Sequence, residues 1–135
     1  MRRPFEVAAI FIGLANSAVG APAVYDCQVI QSQDDRGWIG DQYVFAINDA
    51  SGGVVVDDMA IEYFNKGPIT AKVISNDSAK IDFSWGIFAV DGGGARAKIS
   101  YRATLFFADS TFLVHGKTNP YKVAFEGRGT CTKVN

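Results

Sequence analysis

The chain has 135 residues, with 13 Lys+Arg, 14 Asp+Glu, one His and two Cys, for a formal charge of -1. That length holds one domain, and a 20% charged, 13% aromatic composition excludes wholesale disorder. The near-zero balance gives no electrostatic basis for binding nucleic acid, and one histidine leaves little for a metal site or a nucleophilic relay.

The first element is a secretory signal. Arg2-Arg3 precede an apolar stretch from Val7 to Ala15, and Asn16 to Ala23 is rich in small residues. The apolar run is about half the ~20 residues needed to cross a bilayer, so no membrane anchor is expected once the signal is cleaved. Ala21-Pro22-Ala23 puts small side chains at −3 and −1 of a cleavage after Ala23, giving a signal peptide over 1–23 and one β-domain over 24–135. Losing Arg2, Arg3 and Glu6 leaves 11 basic and 13 acidic residues, a net of -2. Cys27 lacks the small-residue context of a lipid-modified cysteine. Both cysteines lie in the exported part, Cys27 near its start and Cys131 near its end. In an oxidising compartment this pair has one connectivity, a Cys27–Cys131 disulfide.

Beyond Ala23 the pattern has period two. Val24–Gln31, Gln42–Asn48, Gly53–Asp58 and Ile69–Ser75 read as strands. Stronger alternation follows. Ile81, Phe83, Trp85 and Ile87 interleave with Lys80, Asp82, Ser84 and Gly86; Ala97 to Phe107 alternate in the same way. Thr111–Gly116 is short, and Tyr121 to Thr132 is the last strand. Successive strand side chains point to opposite faces, so each run builds one apolar and one wet face. Asn48–Gly53, Asn76-Asp77-Ser78, Asp91–Gly94 and Ala108-Asp109-Ser110 supply turn residues that tolerate positive φ. Asp58–Asn65 has some helical character but could also continue a strand, and Lys66-Gly67-Pro68 ends it either way. About eight antiparallel strands with short connections predict an all-β, up-and-down barrel of the lipocalin or avidin kind, ahead of a β-sandwich. First and last strands adjoin in such a barrel, as the cysteines require.

The sequence marks out neither catalytic residues nor metal ligands nor a cofactor site. His115 is read as a solvent-facing or rim histidine, opposite in direction to Phe112 and Val114; no Gly-x-Ser-x-Gly elbow accompanies it. Asp34-Asp35 and Asp57-Asp58 are read as solvated loop carboxylates, because strand neighbours face opposite ways and no calcium-loop motif is present. Gly92-Gly93-Gly94 is read as a hairpin tip without the helix start a phosphate cradle needs. Gly127 and Gly129 mark a bulge or close packing, with Trp85 or Trp38 the expected bulky neighbour. Trp38 either lines a barrel mouth or plugs the core. Phe83, Trp85, Tyr101, Leu105 and Phe125 on the inner faces predict a filled barrel. Asn76-Asp77-Ser78 would be a glycosylation acceptor in a eukaryotic secretory route.

Tyr25-Asp26-Cys27 after a signal peptide, Phe83-Ser84-Trp85, Tyr101-Arg102-Ala103-Thr104-Leu105 and Gly127-Arg128-Gly129-Thr130-Cys131 resemble small exported single-disulfide all-β proteins of alphaproteobacteria. These have no assigned function; the resemblance implies a periplasmic location and nothing about activity. The early Tyr-x-Cys and the late cysteine are also similar to the periplasmic inhibitors of c-type lysozyme, small β-barrels with a Ser-Gly-x-Gly-x-x-Tyr inhibitory loop. Here Ser51-Gly52-Gly53 runs into Val54-Val55-Val56-Asp57; the second glycine is displaced, the tyrosine is absent, and no residue carries over. The expectation is a non-enzymatic periplasmic or secreted binding module, its partner an envelope protein or a small apolar ligand. A hydrolase inhibitor or a lipocalin-like carrier are the alternatives.

Overall fold

A computed structural model describes residues 22–33, 37–48, 50–90, 93–119 and 123–134. Its elements in chain order are β1 (Ala23–Gln33), β2 (Gln42–Ile47), β3 (Val54–Asp57), α1 (Met59–Asn65), β4 (Ile69–Asn76), β5 (Lys80–Val90), β6 (Arg96–Phe106), β7 (Thr111–Asn119) and β8 (Ala124–Lys133). The eight strands pair antiparallel in sequence order, and β8 returns to β1 to close a barrel. An up-and-down barrel is therefore the architecture, and closure leaves each strand a neighbour on both sides. Of the expected signal peptide only Pro22 and Ala23 fall among the described residues; Ala23 already pairs with Ile47.

Alternation dictates the core. Ile81, Phe83, Trp85, Ile87 and Ala89 of β5 point inward, as do Ile99, Tyr101, Ala103 and Leu105 of β6, and all are buried. The barrel axis is filled by rings in mutual contact. Phe45 meets Phe83 edge-on at 4.9 Å, Trp85 stacks on Tyr101 at 5.3 Å, and Tyr101 continues to Phe125 at 6.0 Å. Tyr43 and Phe112 close the set at 6.1 Å. Each ring buries a large apolar area, on the order of 2–3 kcal/mol apiece before entropy is charged. The expected filled interior is what the packing gives. Among the described residues the indole N–H of Trp85 has no acceptor.

Cys27 and Cys131 face each other in the β1–β8 register and are joined by a disulfide. Such a bond marks a chain that folds in an oxidising compartment. No helix among the described residues is long and apolar enough to cross a membrane.

The glycines of β8 work differently from expectation, since their neighbours are not the tryptophans. A Cβ on Gly127 would lie 2.7 Å from Ile39 and 3.3 Å from Val114. One on Gly129 would lie 1.8 Å from the Gln28 carbonyl oxygen, opposite the bulge where β1 shifts register between Val29 and Gln31. Backbone approach at that seam requires glycine. Gly116 of β7 is covered by the Phe125 ring, 2.1 Å from where a Cβ would sit. Gly116→Ala should cost about 1–3 kcal/mol through forced movement of that ring. Gly67→Ala, with nothing within 4 Å of the added carbon, should be close to neutral. Urea midpoints of the two variants check this; equal midpoints would contradict the packing.

The segment that the sequence left between helix and strand is helix α1. The Asp58 carboxylate accepts from the Ile61 backbone N–H at 2.8 Å, an N-cap. Lys66 ends the helix in the left-handed region (φ 63°), its N–H donating to the Glu62 carbonyl. Ile61 enters the core, Phe64 turns toward Trp38, and Met59 and Tyr63 stay exposed.

Candidate functional site

Among the described residues, three regions bring chemically capable side chains together. The first lies where β3 meets α1. Asp57 and Asp58 are both buried, which corrects their reading as solvated loop carboxylates. They escape solvent because the chain turns directly from strand into helix at this point, and Asp58 is consumed as the cap. The backbone N–H of Asp58 exerts only a minor lowering pull on the Asp57 carboxyl, and the side chain it meets is another carboxyl, Glu62. Burial pushes the Asp57 carboxyl up to about 8, with the Glu62 and Asp58 charges adding to the effect. Burial likewise raises Asp58 to about 6 against the lowering pull of the Ile61 and Ala60 N–H groups. Among the described residues no group of three or more His, Cys, Asp or Glu side chains is placed to hold a metal ion.

The second region is the barrel end beside it. Tyr101 Oη donates to the Trp38 carbonyl at 2.8 Å, and the Gly40 N–H donates to Tyr43 Oη at 3.1 Å. These bonds tie the segment before β2 across the barrel, so Ile39 is pressed onto the backbone at Gly127 and Trp38 is half-buried against Phe64. Trp38 acts as a plug over the core.

The third region is the outside of the barrel. His115 is exposed, opposite Arg102 of β6 and Glu126 of β8, while Phe112 and Val114 point inward as expected. A groove of about 370 Å³ open to solvent runs here, lined by Ser84, Ser100, Arg102, His115 and Lys117 among others. Register builds it: Ser84, Arg102, His115 and Glu126 form one row across β5–β8, and Gly86, Ser100, Lys117 and Ala124 form the next on the same face. The Arg128 guanidinium holds Glu126 at 2.9 Å and, with His115 nearby, keeps its carboxyl below the usual range. Arg128 also lines two further surface grooves beside Ile30, of about 520 and 470 Å³.

The remaining sequence candidates stay apart. Asp34-Asp35 and Asp91-Gly92 lie outside the described residues, while Gly94 has the positive φ of a hairpin tip. In the Ser51–Gly53 turn, Asn48 Oδ1 accepts from the Ala50 and Ser51 N–H groups and Gly52 takes φ 74°. Asp77 accepts from the Lys80 and Ala79 N–H groups, which lowers its carboxyl. The outer groove is not legible in the sequence, because its residues are 7 to 18 positions apart from strand to strand and meet only through register. No protein-family model, curated protein or solved structure matches this chain.

Proposed function

We propose that the protein is an exported, non-enzymatic binding module of the periplasm or extracellular space that engages its partner through the outside of the barrel. The observation that carries this reading is the filled interior. A lipocalin-like carrier of a small apolar ligand needs an open cavity, and here the axis is occupied by Tyr43, Phe45, Phe83, Trp85, Tyr101 and Phe112 in contact. The grooves described above open instead to solvent on the outer face. The disulfide supports export.

The Asn48-organised Ser51–Gly53 turn favours one variant of this reading, an inhibitor that presents a rigid loop to a hydrolase cleft. The two are separated by one series of measurements. The oxidised chain is passed through envelope extract, and retained complexes are read by native mass spectrometry. A stoichiometric complex is the expected result. If it is a hydrolase, and titrating the chain against that enzyme abolishes activity at one equivalent, the inhibitor variant holds. A small apolar molecule retained inside the barrel would overturn the outer-surface reading.

A further inference from the structure

The groove over β5–β8 has a charge arrangement unlike that of the chain as a whole. The protein carries a formal charge of -1, yet Lys98, Arg102 and Lys117 crowd one outer face, with Lys72 opposite Ser84 at its margin. The carboxylates within reach are already engaged. Asp82 accepts from the hydroxyls of Ser75 and Thr104, and burial, which would raise its carboxyl, is outweighed by these donors and by Lys80 and Arg102. Glu126 is held by Arg128. Arg102 touches Asp82 with one nitrogen at 3.6 Å, and its side chain is 56% exposed. Among the described residues no carboxylate pairs with Lys98 or Lys117.

The floor between these cations is made of small residues: Ser84, Gly86, Ser100 and Ala124. The Lys98 stem lies over Gly86, its Cε 3.4 Å from where a Cβ would sit. Directly opposed strand residues have Cβ atoms ~5 Å apart, and alternate residues along a strand ~6.8 Å apart. Ser100 and Arg102 on β6, with Lys117 and His115 on β7, thus form a rectangle with Arg102 and Lys117 about 8 Å apart on a diagonal. Two long cationic side chains so placed can both reach an oxyanion between them, while serine hydroxyls supply further donors.

We propose, resting on the binding-module reading, that this groove binds a phosphate-bearing ligand, its oxyanion held between Arg102 and Lys117 and its attached group lying over Ser84, Ser100 and Ala124. The phosphate belongs to a soluble phosphate monoester or to a lipid headgroup. The test follows backbone amide resonances of the full oxidised chain at constant ionic strength. Inorganic phosphate, glucose 6-phosphate and uncharged glucose are titrated in turn, and co-sedimentation with phosphatidylglycerol or phosphatidylcholine vesicles is measured separately.

The expected result is saturable shifts at Ser84, Ser100, Arg102 and Lys117 with glucose 6-phosphate but not glucose, or sedimentation with the anionic vesicles alone. The first outcome identifies a soluble ligand and the second a headgroup. Arg102→Ala or Lys117→Ala should weaken whichever response occurs by about tenfold, the loss of one charge-assisted contact. Lys133→Ala, on the far side of the β8 register, should leave it unchanged. These side chains are exposed, so the variants keep the fold, and their unshifted amide spectra serve as the control. No saturable response to any probe, or one that both groove variants leave intact, overturns the proposal. If the groove is silent while the oxidised chain still captures a stoichiometric partner, the groove assignment fails and the binding-module reading stands; if capture fails as well, both fall.

Discussion

Asp57→Asn is expected to stabilise the protein at pH 8 by about 2–4 kcal/mol and to change it little at pH 4. The wild-type carboxyl is buried and sits against Glu62, with only a minor opposing pull from the Asp58 N–H, so folding pushes it from 3.8 to about 8. Between those values the folded form keeps its proton while the unfolded form has lost it. Unfolding then releases up to one proton, and stability falls by up to about 1.4 kcal/mol for each pH unit as pH rises through that window. The full contribution is present only below pH ~4. Asp58 acts in the same direction over a narrower range, up to about 6. An asparagine amide removes the ionisation and offers Glu62 an N–H in place of the O–H that the protonated Asp57 supplies, so the donor persists at a pH where the acid would lose it. Urea unfolding of both forms at pH 4, 6 and 8 measures the difference. A variant less stable than wild type at pH 8, with the wild-type slope retained, would mean that the fold holds Asp57 ionised.

Much of the barrel is legible in the sequence because β5, β6 and β8 each sustain strict alternation, which is sufficient to place their inner residues correctly. β2 gives a weaker signal for a physical reason: all six of its residues are buried, so Gln42-Tyr43-Val44-Phe45-Ala46-Ile47 shows no wet face. The α1 segment was ambiguous because Met59, Ile61 and Tyr63 also fit a period of two. The cap signal of Asp58 and the Lys66-Gly67-Pro68 stop were present, but what decides for helix is Ile61 entering the core while Met59 and Tyr63 stay in water. The burial of Asp57 was not legible at all. An acid at a strand end reads as solvated, and only the packing of α1 against the barrel removes that solvent. The same holds for Arg102, His115 and Lys117, whose proximity exists in the register and nowhere in the linear chain.

Removing the disulfide, as Cys27→Ala with Cys131→Ala, is expected to cost about 3–5 kcal/mol while leaving the barrel closed. The two cysteines stand 104 residues apart, and cross-linking so long a loop removes nearly 5 kcal/mol of chain entropy from the unfolded state in the standard treatment. Closure itself does not depend on the bond. β8 pairs with β1 from Lys133 opposite Tyr25 to Glu126 opposite Gln33, on both sides of the disulfide. The hydrogen bonds and the ring core therefore hold the folded form, and the bond acts mostly on what the folded form is compared with. Two observables follow together. The urea midpoint of the variant should fall, and its m-value should rise, because an unlinked unfolded chain exposes more surface than a looped one. Against the 5–15 kcal/mol typical of a domain this size, such a loss is a fifth of the stability or more. A lowered midpoint with an unchanged m-value would place the effect in the folded state instead. The cause would then be the cavity left by two sulfurs at a seam where Cys27 is fully buried. In a compartment that reduces thiols the protein would live on the remaining margin, which ties its stability to the oxidising environment the bond requires.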